Sequence, residues 1–584
     1  MISNEEAMFL NKLNEKQRDV CLSDENIILT ACPGSGKTRT LTYRIAYLCL
    51  KNRPSRRLNI AITYTNRAAD EIKKRLQKVD DSIENAWAGT IHQFCLEYII
   101  KPYSMYFSRL SHGFHIIDEY VQREYENEIV EELGIRNEIG FNDPLNYKEV
   151  KEKYIKKLYD NKEIDFNDIL DISYELLNKN KFIRENIANI IRSIHVDEYQ
   201  DTNDLQYKIL GEIVHENKSI NILFVGDLDQ AIYSGIGGIA KDKIEIEKEF
   251  EVKFIEKKLD GCYRSSQRVI NYYKKFQQNE QEIFSFAENK DTDGIIYVNK
   301  SIHKSELISR IAYIVKKQLK EGTKENEICI IAPQWYLLYP LSKELRKLLP
   351  DVNFDAPDIT PIKYDPLSLF YNISVLFFTK AGRDVFIRKR CASTVMNILS
   401  DEYRIDISRY IDNLLLLKYI NSFTSNSSNG IEYLKEGIEY LFFHLHIDIN
   451  KELALKKSYN DFFDRIDNRI ERYNLSCNIK DIAKSFMVKK GVVINTFHGV
   501  KGEEYKTVIA FGLLHGYIPH WNIIFNTSRD NCEKETKKLL YVICSRAKEN
   551  IFLFAEKGRI TQRGIEYEMT HELQEYKYNY DKIY

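Results

Sequence analysis

Short apolar runs alternate with helical periodicity through the first ninety-odd residues. Residues 26–31, NIILTA, form an apolar run too short for a helix and read as a buried strand. RTLTYRIAYLCL, residues 39–50, follows with apolar side chains at helical spacing. NIAITYT (59–65) then reads as a strand and RAADEIKKRL (67–76) as a helix. Strand–helix alternation of this kind predicts βαβ units on a parallel sheet.

The period changes near residue 98. Long amphipathic stretches, such as EYVQREYENEIVEEL (119–133) and DFNDILDISYELL (165–177), predict a helical insertion over 98–189. Strands return at INILFVGD (220–227). A second alternating region carries GIIYVN (294–299), EICIIAP (327–333), GVVINTF (491–497), KTVIAFG (506–512) and NIFLFAE (550–556). Between these, 373–485 is again helical and is broken by NSFTSNSSNG (421–430). The expected division is a first α/β domain over 1–97 and 190–258, with its insertion at 98–189. A second α/β domain covers 259–372 and 486–584, with its insertion at 373–485.

Composition adds exclusions. With 584 residues the chain needs several cores. Its 85 basic and 86 acidic residues cancel, so a nucleic-acid surface would have to be local. No apolar run of about 18 residues appears, so no membrane partner is expected. The N-terminus has no apolar core like that of a secretory signal, and the ten scattered cysteines form no CxxC pair; both point to a reducing, cytoplasmic setting.

Candidate chemistry begins at ACPGSGKT, Ala31, Cys32, Pro33, Gly34, Ser35, Gly36, Lys37 and Thr38, with Arg39 next. It follows a strand and opens a helix, which is the setting of a P-loop. Glycines turn backbone N–H groups toward phosphate, and the helix start adds its positive dipole end. Ala31 stands where the usual pattern begins with glycine. HVDEYQDTND, residues 195–204, ends another strand in carboxylates. Mg²⁺ takes only one or two protein oxygens, so Thr38 and Asp197 are the expected metal ligands, with Glu198 the base for an attacking water. His195 fits no ligand pattern and reads as structural, and the tail EYKYNYDKIY as a segment that packs or frays.

With these blocks together, the sequence resembles the UvrD/Rep/PcrA-like superfamily 1 helicases. LNEKQRDV is similar to the family's adenine-reading block, implying Gln17 at the base. AITYTNRAADEI and GTIHQFC resemble its DNA-contacting blocks, implying Tyr64, Thr65, Asn66, Thr90 and His92. GDLDQAIY implies Gln230 near the γ-phosphate and Tyr233 as a base platform. LDGCYRSSQRVI implies Tyr263 stacked on adenine and Arg264 as an arginine finger. INTFHGVKGEEYKTVI implies His498 on DNA, Glu504 on nucleotide and Lys501 between them; LLYVICSRAKENI implies Arg546 as second finger. The resemblance implies two RecA-like P-loop parallel-sheet domains, each with a mainly helical insertion. ATP and Mg²⁺ would bind between them, and hydrolysis would drive movement 3′ to 5′ on single-stranded or partly duplex DNA. Lys37, Asp197, Glu198, Gln230, Arg264 and Arg546 would carry the chemistry.

Two departures refine this. After GDLDQAIYS the family has an aromatic–Arg–Gly–Ala run, where this chain has Gly235, Ile236, Gly237 and Gly238. The second insertion is also short. Together with DAPDITPIKYDPLSLF (355–370), this is similar to the compact GajB-type helicases of Gabija anti-phage defence. That likeness implies a hetero-oligomer with an OLD-family, GajA-like nuclease. Two functions stay open: a translocating helicase, and a regulatory DNA- and nucleotide-sensing ATPase that controls a nuclease with little unwinding of its own.

Overall fold

The computed structural model describes residues 8–80, 83–117, 119–136, 143–232, 238–356, 360–382, 385–473, 475–486, 491–561 and 563–582. The chain divides into two compact units, Met1–Gly294 with Asn522–Ser545, and Ile295–Trp521 with Arg546–Tyr584.

The first unit is built on six parallel strands: β1 (Ile27–Ala31), β2 (Leu58–Ile62), β3 (Ala86–Gly89), β4 (Ile191–Asp197), β5 (Asn221–Gly226) and β6 (Ile255–Leu259). Their order is β3-β2-β4-β5-β1-β6. Alternate residues supply two cores. Ile27, Leu29, Ala61, Leu223 and Val225 pack with Leu41 and Ile45 of helix α2 (Lys37–Lys51) and Ile72 of α3 (Asn66–Val79). Ile28, Ile60, Ile62, Ile194, Val196 and Phe224 pack with Ile169, Leu176 and Ile183 of the helices Phe166–Lys179 and Lys181–Ile190. Strands buried on both faces read as near-continuous apolar runs, as β1 (IILTA) does, although the central β4 (IRSIHVD) also buries Ser193, His195 and Asp197. The edge strand β6 is exposed instead: its sequence IEKKL leaves both lysines at least partly exposed, and such charges block edge pairing.

Between β3 and β4 the described residues are mainly helical, with one short parallel pairing of His115–Ile116 with Glu163–Ile164. Glu119–Leu133 and Lys148–Asn161 share a small core of Val121, Tyr125, Ile129, Val150, Tyr154 and Leu158.

The second unit has its own six parallel strands: β7 (Ile296–Asn299), β8 (Ile328–Ala332), β9 (Phe354–Asp355), β10 (Val492–Thr496), β11 (Tyr505–Ala510) and β12 (Ala547–Phe554). The order is β7-β12-β11-β8-β10-β9. Helices Leu369–Phe378, Val385–Asp401, Asn413–Ser422, Gly430–His444 and Leu453–Tyr473 form a separate core between β9 and β10. Leu369–Phe378 is buried at every position, and its sequence LFYNISVLFF is apolar around almost the whole circumference. The architecture is thus mixed α/β with two RecA-like parallel-sheet domains.

The first unit runs further than the sequence division at 258. Leu259 closes β6, a two-residue parallel pairing joins Gly261–Cys262 to Phe284–Ser285, and helix Arg529–Ser545 packs here through Tyr541 against Tyr273. Tyr263 and Arg264 therefore belong to the first unit. Among the described residues no helix is long and apolar enough to cross a membrane.

Candidate active site

All strands of the first sheet are parallel, so the loops after β1, β2, β3, β4 and β5 leave from one edge, where α/β sheets place their sites. The loop after β1 turns on two glycines. Gly34 and Gly36 have φ of 74° and 80°, left-handed values that a side chain rarely adopts. A Cβ on Gly34 would also lie 2.6 Å from Arg264 Cβ. Gly36 precedes α2 without a side-chain cap, so the helix does not itself satisfy the N–H groups of its first turn. Ser35 is buried, and its Oγ has no hydrogen-bond partner among the described residues. Unsatisfied donors around a glycine turn fit an anion such as a phosphate chain.

Ala31, Cys32 and Pro33 are buried and anchor the loop; Cys32 N–H donates to Leu259 O at 3.1 Å. Burial pushes the Cys32 thiol pKa well up, so it stays protonated. Arg39 donates to Lys12 O at 2.8 Å and lies 5.5 Å from the Tyr43 ring centroid.

Facing the loop is the end of β4. Lys37 Nζ lies 3.3 Å from Glu198 Oε1, and Thr38 Oγ1 donates to Asp197 Oδ2 at 3.2 Å. Glu198 has φ 51°, an uncommon value for a residue with a Cβ, which turns its side chain out of the strand path. Asp197 is buried, and burial followed by the Glu198 charge raises its pKa, with Lys37 and Thr38 opposing. A buried carboxylate held back from ionising gains most from a cation, and Thr38 and Asp197 present two hard oxygens side by side. Among the described residues no group of three or more His, Cys, Asp or Glu is arranged to hold a metal alone. A magnesium ion at this pair would therefore draw its other ligands from phosphate and water.

The end of β5 completes the cluster. Gln230 is buried and donates to Asp227 Oδ2 at 2.7 Å. Three side chains that the motifs did not single out contribute. Gln200 donates to Glu198 Oε2 at 2.6 Å and accepts from Asp227 N–H at 3.1 Å, linking β4 to β5. Asp227 itself is buried, its pKa raised by that burial. Asn14 caps α1 (Glu15–Leu22) in a capping box with Gln17 and donates to Tyr263 Oη at 2.7 Å. The Asn-x-x-Gln spacing was a readable capping signal. The contacts of Gln200 with Glu198 and of Asn14 with Tyr263 leave no mark in sequence.

Gln17 is buried, and its Nε2 donates to Ser35 O at 2.9 Å while its Oε1 accepts from Asn14 N–H at 3.1 Å. Tyr263 is 45% exposed, its N–H donating to Gly34 O at 2.8 Å. Arg264 donates to Ser545 O at 3.0 Å. Lys37, Thr38, Asp197, Glu198, Gln230, Gln17, Tyr263 and Arg264 are thus gathered in one unit. The sequence division had assigned Tyr263 and Arg264 to the other.

On the far side of β4 from β5, strands β2 and β3 end in register at Ile62 and Gly89. Tyr64, 42% exposed, follows β2; Thr65 caps α3 and Asn66 begins it. Thr90 caps the helix Ile91–Phe94. His92 is held neutral, its pKa lowered to about 4 by burial, with its ring edge against Phe166 at 5.7 Å. Above about pH 5 it offers no positive charge to a phosphate. Tyr233 and residues 235–237 lie outside the described residues. His195 is fully buried, its Nδ1 3.2 Å from Ile60 O, in keeping with a structural place.

His498, Lys501, Glu504 and Arg546 lie in the second unit. His498 is exposed in the turn after β10. Glu504 pairs with Lys548 Nζ at 3.0 Å. Arg546 is 1% exposed and donates to Glu503 O at 3.3 Å.

A glycine loop on a parallel sheet, facing paired Lys37–Glu198 and Thr38–Asp197 contacts, defines a P-loop class of α/β protein. Comparison with known proteins then fixes the family. The UvrD/REP helicase N-terminal domain matches residues 13–143 and 138–251, and the UvrD-like helicase C-terminal domain matches 447–558. Together these span more than half of the chain, which belongs to the UvrD/REP helicase family and is an enzyme of that class. The chain is 25% identical to the ATP-dependent DNA helicase PcrA of Staphylococcus aureus, over 94% of this chain and 84% of that protein. It is 24% identical to PcrA of Staphylococcus epidermidis over 94% and 83%.

Proposed function

We propose that the protein is a cytoplasmic, ATP-dependent DNA helicase that moves 3′ to 5′ on single-stranded DNA, with Mg²⁺ as cofactor. The observation that carries this reading is the pair of contacts Lys37–Glu198 and Thr38–Asp197 at the mouth of the glycine loop. In this proposal the loop N–H groups and Lys37 hold the phosphates, so Lys37 exchanges its contact with Glu198 for phosphate oxygen. Thr38 and Asp197 hold Mg²⁺, which supplies neutralisation of charge on the phosphate oxygens. Glu198, oriented by Gln200, takes a proton from the attacking water. Gln230 senses the γ-phosphate, and Arg264 and Arg546 act as arginine fingers. Tyr263 stacks on the adenine, Gln17 contacts the same base, and Glu504 contacts the nucleotide. Tyr64, Thr65, Asn66, Thr90, His92, Tyr233 and His498 contact DNA, with tyrosine faces suited to any base. The helical insertions at 98–189 and 373–485 belong to the same proposal.

The test is ATP hydrolysis with and without single-stranded DNA, beside Lys37→Ala and Glu198→Gln. DNA-stimulated hydrolysis lost in both variants is the expected result. Hydrolysis indifferent to DNA would defeat the motor reading.

The Gly235–Gly238 departure and the short second insertion favour a second reading: a regulatory DNA- and nucleotide-sensing ATPase subunit that controls a partner nuclease with little unwinding of its own, the place in anti-phage defence and the OLD-family partner being proposals common to both readings. A strand-separation assay tells them apart. DNA-stimulated hydrolysis without unwinding, together with nucleotide-dependent control of an added OLD-family nuclease, would favour the regulator.

A further inference from the structure

Phe286 is an aromatic side chain left 61% exposed, yet it is firmly seated. Its ring lies stacked beside Tyr263, with centroids 5.8 Å apart and planes 30° from parallel. Its N–H donates to Cys262 O at 2.7 Å, extending the pairing of Gly261–Cys262 with Phe284–Ser285. That short pairing is itself pinned. Ser285 N–H donates to Gln267 Oε1 at 2.8 Å, and Ser285 Oγ donates to Ser265 O at 2.7 Å. Gly261 makes room for the ring, since a Cβ there would lie 2.9 Å from Phe286 Cδ2.

Tyr263 is thus held from three sides. Its backbone is tied to Gly34 of the loop, its hydroxyl to Asn14, and its ring to Phe286. A tyrosine ring fixed in plane and nearly half exposed is pre-organised for stacking, because less rotamer freedom remains to be lost when a flat ligand arrives. Apolar surface of Phe286 left in water is unfavourable, and stacking on Tyr263 covers part of it.

We infer that Phe286 is a positioning residue for the nucleobase: it backs Tyr263 as the second layer of a two-ring platform and thereby raises affinity for the purine end of the nucleotide. This rests on the reading of Tyr263 as the adenine-stacking residue. Aromatic pairs contribute beyond area burial, so loss of the ring should weaken nucleotide binding about 2- to 10-fold.

The experiment measures KM for ATP and kcat at saturating single-stranded DNA for wild type, Phe286→Ala, Phe286→Trp and Tyr263→Ala. Competition by inorganic triphosphate, which has no base, is measured alongside. The expected result is a higher KM for ATP in Phe286→Ala, kcat within about twofold, unchanged inhibition by triphosphate, and recovery in Phe286→Trp. If Tyr263→Ala raises KM and Phe286→Ala does not, the inference falls and the stacking role of Tyr263 stands. If Phe286→Ala weakens ATP and triphosphate equally, Phe286 supports the phosphate loop and the inference is overturned. If Tyr263→Ala leaves KM unchanged, the stacking reading itself fails and takes the inference with it.

Discussion

Strands β1 and β8 hold comparable places in their own sheets. Each is a five-residue, almost wholly buried strand with a parallel neighbour on either side, and each leads within a few residues into a helix of fourteen or fifteen residues. Their outgoing loops differ. After β1 come Gly34 and Gly36 at positive φ, then Lys37 and Thr38 on the first turn of α2. After β8 come Pro333 and Gln334, then the helix Trp335–Leu348, whose first turn, Trp335 to Leu338, holds no lysine, arginine, serine or threonine. The frameworks are matched, and a handful of loop residues decide which one can cradle phosphate. A parallel sheet supplies an edge of loops; it does not supply the chemistry.

The largest expected effect separates the two loops outright. Lys37→Ala or Glu198→Gln should lower the ATPase rate on the order of 10³-fold, with the fold intact by circular dichroism. Retention of more than a tenth of the rate would mean that the loop after β1 is no more catalytic than the loop after β8. Next is Gly34→Ala. The left-handed backbone costs about 1–2 kcal/mol for a residue with a Cβ, and the overlap with Arg264 adds to it. A drop in thermal midpoint together with a weaker apparent ATP affinity is expected. Gln200→Ala should lower kcat about 10-fold with little change in KM, because it aims Glu198 and touches no phosphate in this scheme. Unchanged kcat would remove Gln200 from the mechanism.

A smaller effect concerns pH. Asp229 is buried and its pKa is raised to about 6, first by burial and then by Asp227. An unfolded aspartate titrates near 3.9, so between about pH 4 and 6 the folded state holds the extra proton. Stability from this group therefore falls as pH rises through that window and is level above it. Asp229→Asn keeps an oxygen for the N–H groups of Gln278 and Asn279 and removes the titration. Unfolding by urea should lose less stability between pH 4.5 and 7 in the variant, by at most about 2–3 kcal/mol. An unchanged pH slope would show that Asp229 titrates normally. The smallest effect serves as the control on the other loop. The Gln334 side chain makes no capping bond, so Gln334→Ala should shift stability by less than about 0.5 kcal/mol and leave the ATPase rate unchanged.

Much of this molecule was legible in its sequence. Apolar runs located the principal strands and the helical stretches between them, because a strand buried on both faces can carry few polar residues. The glycine loop and the carboxylates after β4 were legible because their chemistry is local, set by residues close to one another in the chain. The link between those two blocks was inferred from their types, and the fold supplies the contact: Thr38 and Asp197, distant in the chain, lie 3.2 Å apart in space.

Other features depend on distance in the chain and left no local signal. The sequence put the domain break at the end of β6, yet Tyr263, Arg264 and the helix Arg529–Ser545 all fold into the first unit. Nothing in a stretch of sequence reports which of two similar sheets it will pack against. His92 looks like a chargeable contact in its motif and is neutral because of burial among residues remote in sequence. Gln200, Asn14 and Phe286 are ordinary residues by composition. Only the tertiary fold makes the first a clamp on Glu198 and the other two the edge and the backing of Tyr263, because a hydrogen bond or a ring stack exists only once distant segments are brought within a few ångströms. The sequence by itself determined the principal elements, the glycine loop and the family, because those signals are local; the tertiary structure decided which distant side chains meet around that loop.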